Sequence, residues 1–162
     1  MDSHFAAANG AYLVRDYRLG ESQAGTFYVQ GTSAMVSILK ALPKIDERNL
    51  NIKIVYVASS QLFALQPKAY RDKIVSPADR VNSTVITTQA RWLMHDWLFN
   101  HLADEYALSS DWDNRWRTGG DVTEVIEEAH LSPDWVVKGI ERFAKEKDAR
   151  LERLRAELTY LD

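Results

Sequence analysis

Thr26-Phe27-Tyr28-Val29-Gln30 runs into Gly31-Thr32-Ser33 and then into Met35 to Leu42. The first stretch carries apolar side chains on both alternating faces, the pattern of a strand covered on both sides. A glycine turn and two hydroxyl residues then open a helix, which Pro43 is expected to close. A buried strand feeding a helix is the building unit of a parallel sheet.

The pattern recurs along the chain. Ile52 to Val57 is again apolar on both faces, and Ala11 to Tyr17, Val81 to Thr87 and Tyr106 to Asp111 read as further strands. Asp121 with Glu124 is a capping box ahead of Val125-Ile126, and Ser132-Pro133 starts a helix through Trp135, Val136, Ile140 and Phe143. The order β, β, α, β, α, β, α, β, α, α implies a three-layer α/β/α domain. Its sheet is mixed, five-stranded and mostly parallel, with one antiparallel edge strand. The polar stretch Arg18 to Gly25 is short enough to join the first two strands as a hairpin.

Residues 1–9 read as an N-terminal extension, 10–147 as one domain, and 148–162 as a helical tail continuing the last helix. Ile140, Ala144, Lys147, Leu151, Leu154, Leu158 and Leu161 follow a 4-3 spacing and line one stripe. Either this long C-terminal helix packs on its own domain, or Leu151, Leu154 and Leu158 form a docking or dimerising stripe beyond Lys147.

Composition narrows the function classes. The 162 residues hold 20 basic and 23 acidic side chains, a net charge of −3. Non-specific nucleic-acid binding draws on Lys and Arg at phosphates, so this balance argues against it. No cysteine is present, which excludes disulfides, thiolate metal sites and a cysteine nucleophile. No apolar run approaches the roughly 18 residues of a membrane helix. The first residues lack the charge and apolar core of a signal peptide, so a cytoplasmic protein is expected.

Residues able to carry chemistry are few. His95 and His101, six apart, would point about 120° apart on one helix and could not share a metal. Gly31, Thr32 and Ser33 are a candidate anion site, because free amides at a helix start attract phosphate. One glycine is far less specific than a full phosphate-binding loop, and a strand-to-helix turn needs a glycine and a cap in any case. Asp121 acts as a cap after Gly119-Gly120, not as part of a metal-diphosphate motif. Ser59-Ser60 follows a strand without a histidine or acid nearby. Trp92, Trp97, Trp112 and Trp116 fall close together. They fill a satellite core, with Arg115 and Arg117 covering Trp116, or leave Trp112 and Trp116 at an interface. No catalytic, cofactor-binding or metal-ligating residue is assigned.

Several segments together resemble the C-terminal domain of the transketolase family. Gly10-Ala11-Tyr12-Leu13-Val14-Arg15-Asp16-Tyr17 is similar to its opening strand, and Phe27 to Ser33 to its second strand and glycine turn. Ile52 to Ser59 resembles its third strand, with Val57-Ala58 where the family usually has Met-Pro. Leu62-Phe63, Gln66 and Ala69-Tyr70-Arg71 look like its two short helices, and Arg80-Val81 like the entry to its fourth strand. The resemblance spans about residues 10 to 145. Arg115 to Gly120 replaces the family's Ser/Ala-Pro stretch, and the tail from Asp148 has no counterpart.

The resemblance implies membership of an enzyme that moves a two-carbon ketol unit between sugar phosphates with thiamine diphosphate and Mg²⁺. In that family the cofactor sits between two other domains, whose Gly-Asp-Gly motif and pyrimidine-binding glutamate are missing here. The implied role is assembly and support, with no cofactor in this chain. The catalytic domains or subunit of a thiamine-diphosphate enzyme are the implied partners, in a homodimer. The replaced loop leaves room for the C-terminal domain of a related 2-oxo-acid dehydrogenase. A reading of another class is a stand-alone doubly wound module binding a small phosphorylated ligand, with Gly31 to Ser33 and Ala58 to Ser60 beyond the strand ends.

Overall fold

The computed structural model describes residues 4–117 and 119–159. Its strands are β1 (Ala11–Arg15), β2 (Gly25–Gln30), β3 (Ile52–Val57), β4 (Ser83–Thr87) and β5 (Leu108–Ser109). Its helices are α1 (Thr32–Glu47), α2 (Ser60–Ala64), α3 (Lys68–Ile74), α4 (Pro77–Val81), α5 (His101–Asp104), α6 (Val122–Glu128), α7 (Pro133–Lys145) and α8 (Lys147–Leu158). Residues His4–Asn9 and Arg91–Trp97 form 3₁₀ helices. The strands lie in the order β1-β3-β2-β4-β5, parallel except for β1, which runs antiparallel to β3.

Strand alternation sorts the apolar side chains into two cores. Phe27, Val29, Ile54 and Ile86 face one side, against Ile38 and Ile45 of α1 and Ile140 and Phe143 of α7. Tyr28, Val55 and Val85 face the other, against Ile74 of α3 and Met94 and Trp97 of the 3₁₀ segment. Each such side chain contributes about 1.5–3 kcal/mol by leaving water. Gly25 is required by this packing. A Cβ there would lie 2.3 Å from the ring of Phe143, and its φ of 150° is a glycine conformation.

Four expectations need correction. The first two strands do not form a hairpin, because both edges of β2 are taken by β3 and β4. The connecting segment is instead tied to the start of β3: Arg18 N donates to Asn51 Oδ1 at 2.7 Å, and Asn51 Nδ2 donates to the Arg18 carbonyl at 3.0 Å.

Pro43 does not end α1, which continues to Glu47. Its missing N–H would have met the carbonyl of Leu39, a residue on the exposed side, while buried Ala41 and Ile45 keep the helix on the sheet. Lys44 and Arg48 then pair with Asp134 and Glu141 of α7.

Three strands are shorter than expected, the first being β1, which stops at Arg15, before Tyr17. Val81 closes α4, whose capping box is Ser76 with Asp79. Tyr106 turns into the core, and Asp111 accepts from Ser109 Oγ at 2.6 Å, closing a turn directly after β5.

The C-terminal helix is divided at Glu146, where φ and ψ of −93° and 11° separate α7 from α8. α8 does not leave the domain body. Arg150, 2% exposed, reaches back to Phe143 and Asn82, and Arg153 makes two bonds to Glu105. On the expected stripe Ile140 is buried, Leu151 and Leu154 are half-buried and Leu158 is exposed; Leu161 lies outside the described residues. No described helix is long and apolar enough to cross a membrane.

Candidate functional site

In open α/β sheets, ligands collect beyond the carboxyl ends of the strands, where neighbouring connections leave to opposite faces. Here β2 sends its connection to the α1 face, and β4 sends its own to the face of the 3₁₀ segment. Gly31 caps α1 at that point with φ 97° and ψ 140°. A Cβ on it would lie 2.2 Å from Thr88 Oγ1, so Thr88 closes the crevice directly over the turn. Neither Thr32 nor Ser33 caps the helix; Thr32 is exposed.

Beside this closed point lies a cavity of about 690 Å³. Ser33 and Thr88 line one side, and Val122, Ile126 and Leu131 form an apolar wall opposite. Arg115 and Trp116, in the loop between β5 and α6, complete the rim. Asp121 starts that wall by accepting from Thr123 N at 2.8 Å, which fixes the first turn of α6. The structure thus brings Ser33 and Trp116 to one cavity, while Gly31 lies beside it under Thr88 and Thr32 does not line it. Trp112 sits next to it, and Leu151, Leu154 and Leu158 lie apart on α8.

The two arginines are already engaged. Arg117 donates to both oxygens of Asp113 and, through Nε, to the Ser110 carbonyl at 2.7 Å; Arg115 Nε reaches Asp113 at 2.8 Å. Desolvation pushes the Asp113 carboxyl up, but the bonds from Arg117 and Arg115 outweigh it and hold the group well below the usual carboxylate range. This clamp shapes the loop, and Asp113 together with Glu128, 3.6 Å from Arg117, offsets the charge an anion would need. Contrary to expectation, the arginines do not cover Trp116, which is 97% exposed. Arg117 instead stands 5.9 Å over Trp112.

The tryptophans do not form one cluster. Trp97 is buried against Tyr28 and Phe63, and Trp92 stacks on His95 at the surface. Trp112, His130 and Trp135 form a three-ring stack with centroids 4.0 and 3.8 Å apart. Residue spacing gave no hint of that column, because His130 enters it from a positive φ of 56° after α6.

Chemically, the cavity offers an apolar wall and a few hydroxyls. No hydrogen bond joins Ser33 or Ser110 to a histidine or carboxylate side chain among the described residues, so no activated nucleophile is assembled there. His95 and His101 lie on separate elements, paired with Asp96 and Glu157. Among the described residues no three His, Asp or Glu side chains are grouped to hold a metal ion. The donor set of the described residues therefore does not fit a metal-bound diphosphate.

The family-like residues of the short helices pack them onto the sheet edge. Phe63 meets Tyr70 edge-on at 6.4 Å, Tyr70 OH donates to the Ala11 carbonyl at 2.8 Å, and Gln66 Nε2 donates to the Leu62 carbonyl at 3.0 Å.

Fold and cavity together define a three-layer α/β domain of the open-sheet class, with an antiparallel strand at one edge. No protein-family model and no curated protein sequence matches it. Solved structures do. Transketolase from Leishmania mexicana superposes with a TM-score of 0.64 at 16% identity, over 90% of this chain and 19% of that one. Transketolase from Pichia stipitis in complex with sedoheptulose 7-phosphate gives 0.65 at 12%, over 91% and 20%. The Campylobacter jejuni enzyme gives 0.59 at 17%, over 84% and 19%. The chain thus has the fold of a transketolase segment, and spans about a fifth of the solved proteins it matches.

Proposed function

We propose that this chain is the C-terminal companion domain, or a detached subunit, of a transketolase-like enzyme that uses thiamine diphosphate and Mg²⁺. Its work is assembly and support of a site held by other domains, in a cytoplasmic homodimer. One observation carries the reading: nine-tenths of the chain follows the fold of about one-fifth of a transketolase. The fold-edge packing of Phe63 and Tyr70, the residues that resemble the family most specifically, supports it. Trp112, Trp116, Leu151, Leu154 and Leu158 are the apolar groups we assign to contacts with partner domains or a second copy.

Thermal unfolding with saturating thiamine diphosphate and Mg²⁺ tests this reading. The midpoint should not move. Binding at 100 times Kd would stabilise the domain by about 2.7 kcal/mol and raise the midpoint by about 5–11 °C, which would overturn it.

The cavity beside Ser33 favours a second reading, a stand-alone module binding a phosphorylated ligand at Gly31, Thr32 and Ser33. That reading requires a midpoint shift with a sugar phosphate which Ser33→Ala diminishes.

A further inference from the structure

On the opposite face of the sheet, beyond the carboxyl end of β3, a second cavity of about 360 Å³ opens between α2, α3, α4 and the 3₁₀ segment. Trp97, Phe63 and Phe99 give it an aromatic lining, with Trp97 and Phe99 centroids 6.3 Å apart. Two arginines from different helices, Arg71 of α3 and Arg80 of α4, reach it.

Those arginines differ from most others in the fold. Arg15, Arg48, Arg91, Arg117 and Arg153 are each paired to a carboxylate. Among the described residues, Arg71 and Arg80 are not. Arg71 Nε is buried with no hydrogen-bond partner. A buried, charged donor without an acceptor is costly, and native structures usually resolve it with an ion, water or ligand. Arg80 lies 4.6 Å over the ring of Phe99, a cation–π contact that holds the guanidinium in place. Ser60 adds a hydroxyl: its oxygen accepts from Trp97 Nε1 at 2.8 Å, which leaves its own O–H to donate. The acid at this cavity, Asp96, is engaged by His95 Nε2 at 3.1 Å.

Planar guanidiniums match phosphate oxygens in two-point contacts, and an aromatic lining accepts the ring or carbon skeleton attached to them. We propose that Arg71, Arg80 and Ser60 bind the phosphate of a small phosphomonoester whose carbon skeleton rests on Phe63 and Phe99, the partly exposed rings of the lining. A volume of this size suits a ligand of one ring. The site does not depend on the companion-domain reading, and it is separate from the cavity beside Ser33.

Trp97 in the lining provides a signal. Its fluorescence is followed during titration of the whole chain with glucose 6-phosphate, with glucose as the uncharged control, and calorimetry repeats the measurement. Saturation is expected with glucose 6-phosphate and not with glucose. Arg80→Gln, at an exposed side chain that should not disturb folding, and Arg71→Gln should each weaken binding about tenfold or more. Arg155→Gln, away from this cavity, should leave it unchanged. No saturation by about 10 mM overturns the proposal. So does an affinity insensitive to Arg71→Gln and Arg80→Gln, or one lost equally in Arg155→Gln.

Discussion

The guanidinium of Arg150 lies 3.5 Å from the centroid of the Phe143 ring, and its Nη1 donates to the Phe143 carbonyl at 2.8 Å. Phe143 packs in turn against Phe27, with centroids 5.2 Å apart, and against the backbone of Gly25. A residue in the tail thus grips the core of the domain. Nη2 of Arg150 also bonds Asn82 Oδ1 at 2.7 Å, at the loop entering β4.

Arg150→Ala should therefore lower stability by about 2–3 kcal/mol in urea unfolding. Amide exchange across residues 147–158 should accelerate at the same time. Arg150→Lys keeps the charge but cannot reach both acceptors, and should recover only part of the loss. Unchanged stability in Arg150→Ala would mean that α8 is not held by this contact.

A second prediction concerns acid. Lys53 and Asp79 form a buried ion pair of 2.8 Å, and Asp79 also accepts from Thr26 Oγ1 and Ser76 N, each at 2.8 Å. Burial pushes the Asp79 carboxyl up, but the bonds from Lys53 and Ser76 prevail and hold it below its ordinary value of 3.8. A carboxylate depressed in the folded state adds stability above its unfolded pKa, and loses it as pH falls through the folded one. Stability should thus decline as pH drops below about 4. Asp79→Asn should flatten that decline and cost about 3–5 kcal/mol near neutrality, by stranding the Lys53 charge. Urea midpoints across pH 2.5–7 check both.

Much of this architecture was legible in the chain, and the misses have physical causes. Phe27 to Val29 and Ile52 to Val57, apolar on both faces, marked parallel strands that the structure contains. The hairpin failed because periodicity identifies strands but not neighbours: β1 pairs with β3 through a link anchored on Asn51. Lys53 inside an apolar strand was a readable signal of a buried acid, yet nothing in its spacing pointed to Asp79. The cavity beside Ser33 was foreshadowed by Gly31. Arg71 and Arg80 stood out only as parts of a resemblance, since their shared cavity depends on how three short helices fold back.

Gly31 supplies a third test. Its φ of 97° suits glycine, and a Cβ would strike Thr88. Gly31→Ala should cost about 3 kcal/mol through backbone strain and that clash. Adding Thr88→Ser removes a methyl but keeps Oγ1, the atom struck, so it should restore little; adding Thr88→Ala should restore more. Equal recovery in both double variants would show that the backbone, not the contact, sets the cost. A bulky residue at Gly31 would disturb the fold itself, so it cannot serve as a clean probe of ligand binding.

The exposed aromatic Trp116 separates stability from assembly. Trp116→Ser should change the unfolding free energy by less than about 0.5 kcal/mol, because the ring is almost wholly in solvent. Under the proposed role it should weaken association with partner domains or a second copy, and Leu158→Glu on α8 should do the same. Sedimentation of the variants, alone and with partner, reads the difference.

The most direct measurement is the size and company of the native polypeptide. An antibody against this domain is applied to a denaturing gel of source-cell lysate, and the captured material is analysed for thiamine-diphosphate-binding chains. A companion domain predicts a band several times larger than 162 residues allow, or a band of that length carrying a larger thiamine-diphosphate-binding partner. A band of that length, captured with no such partner, would contradict the account.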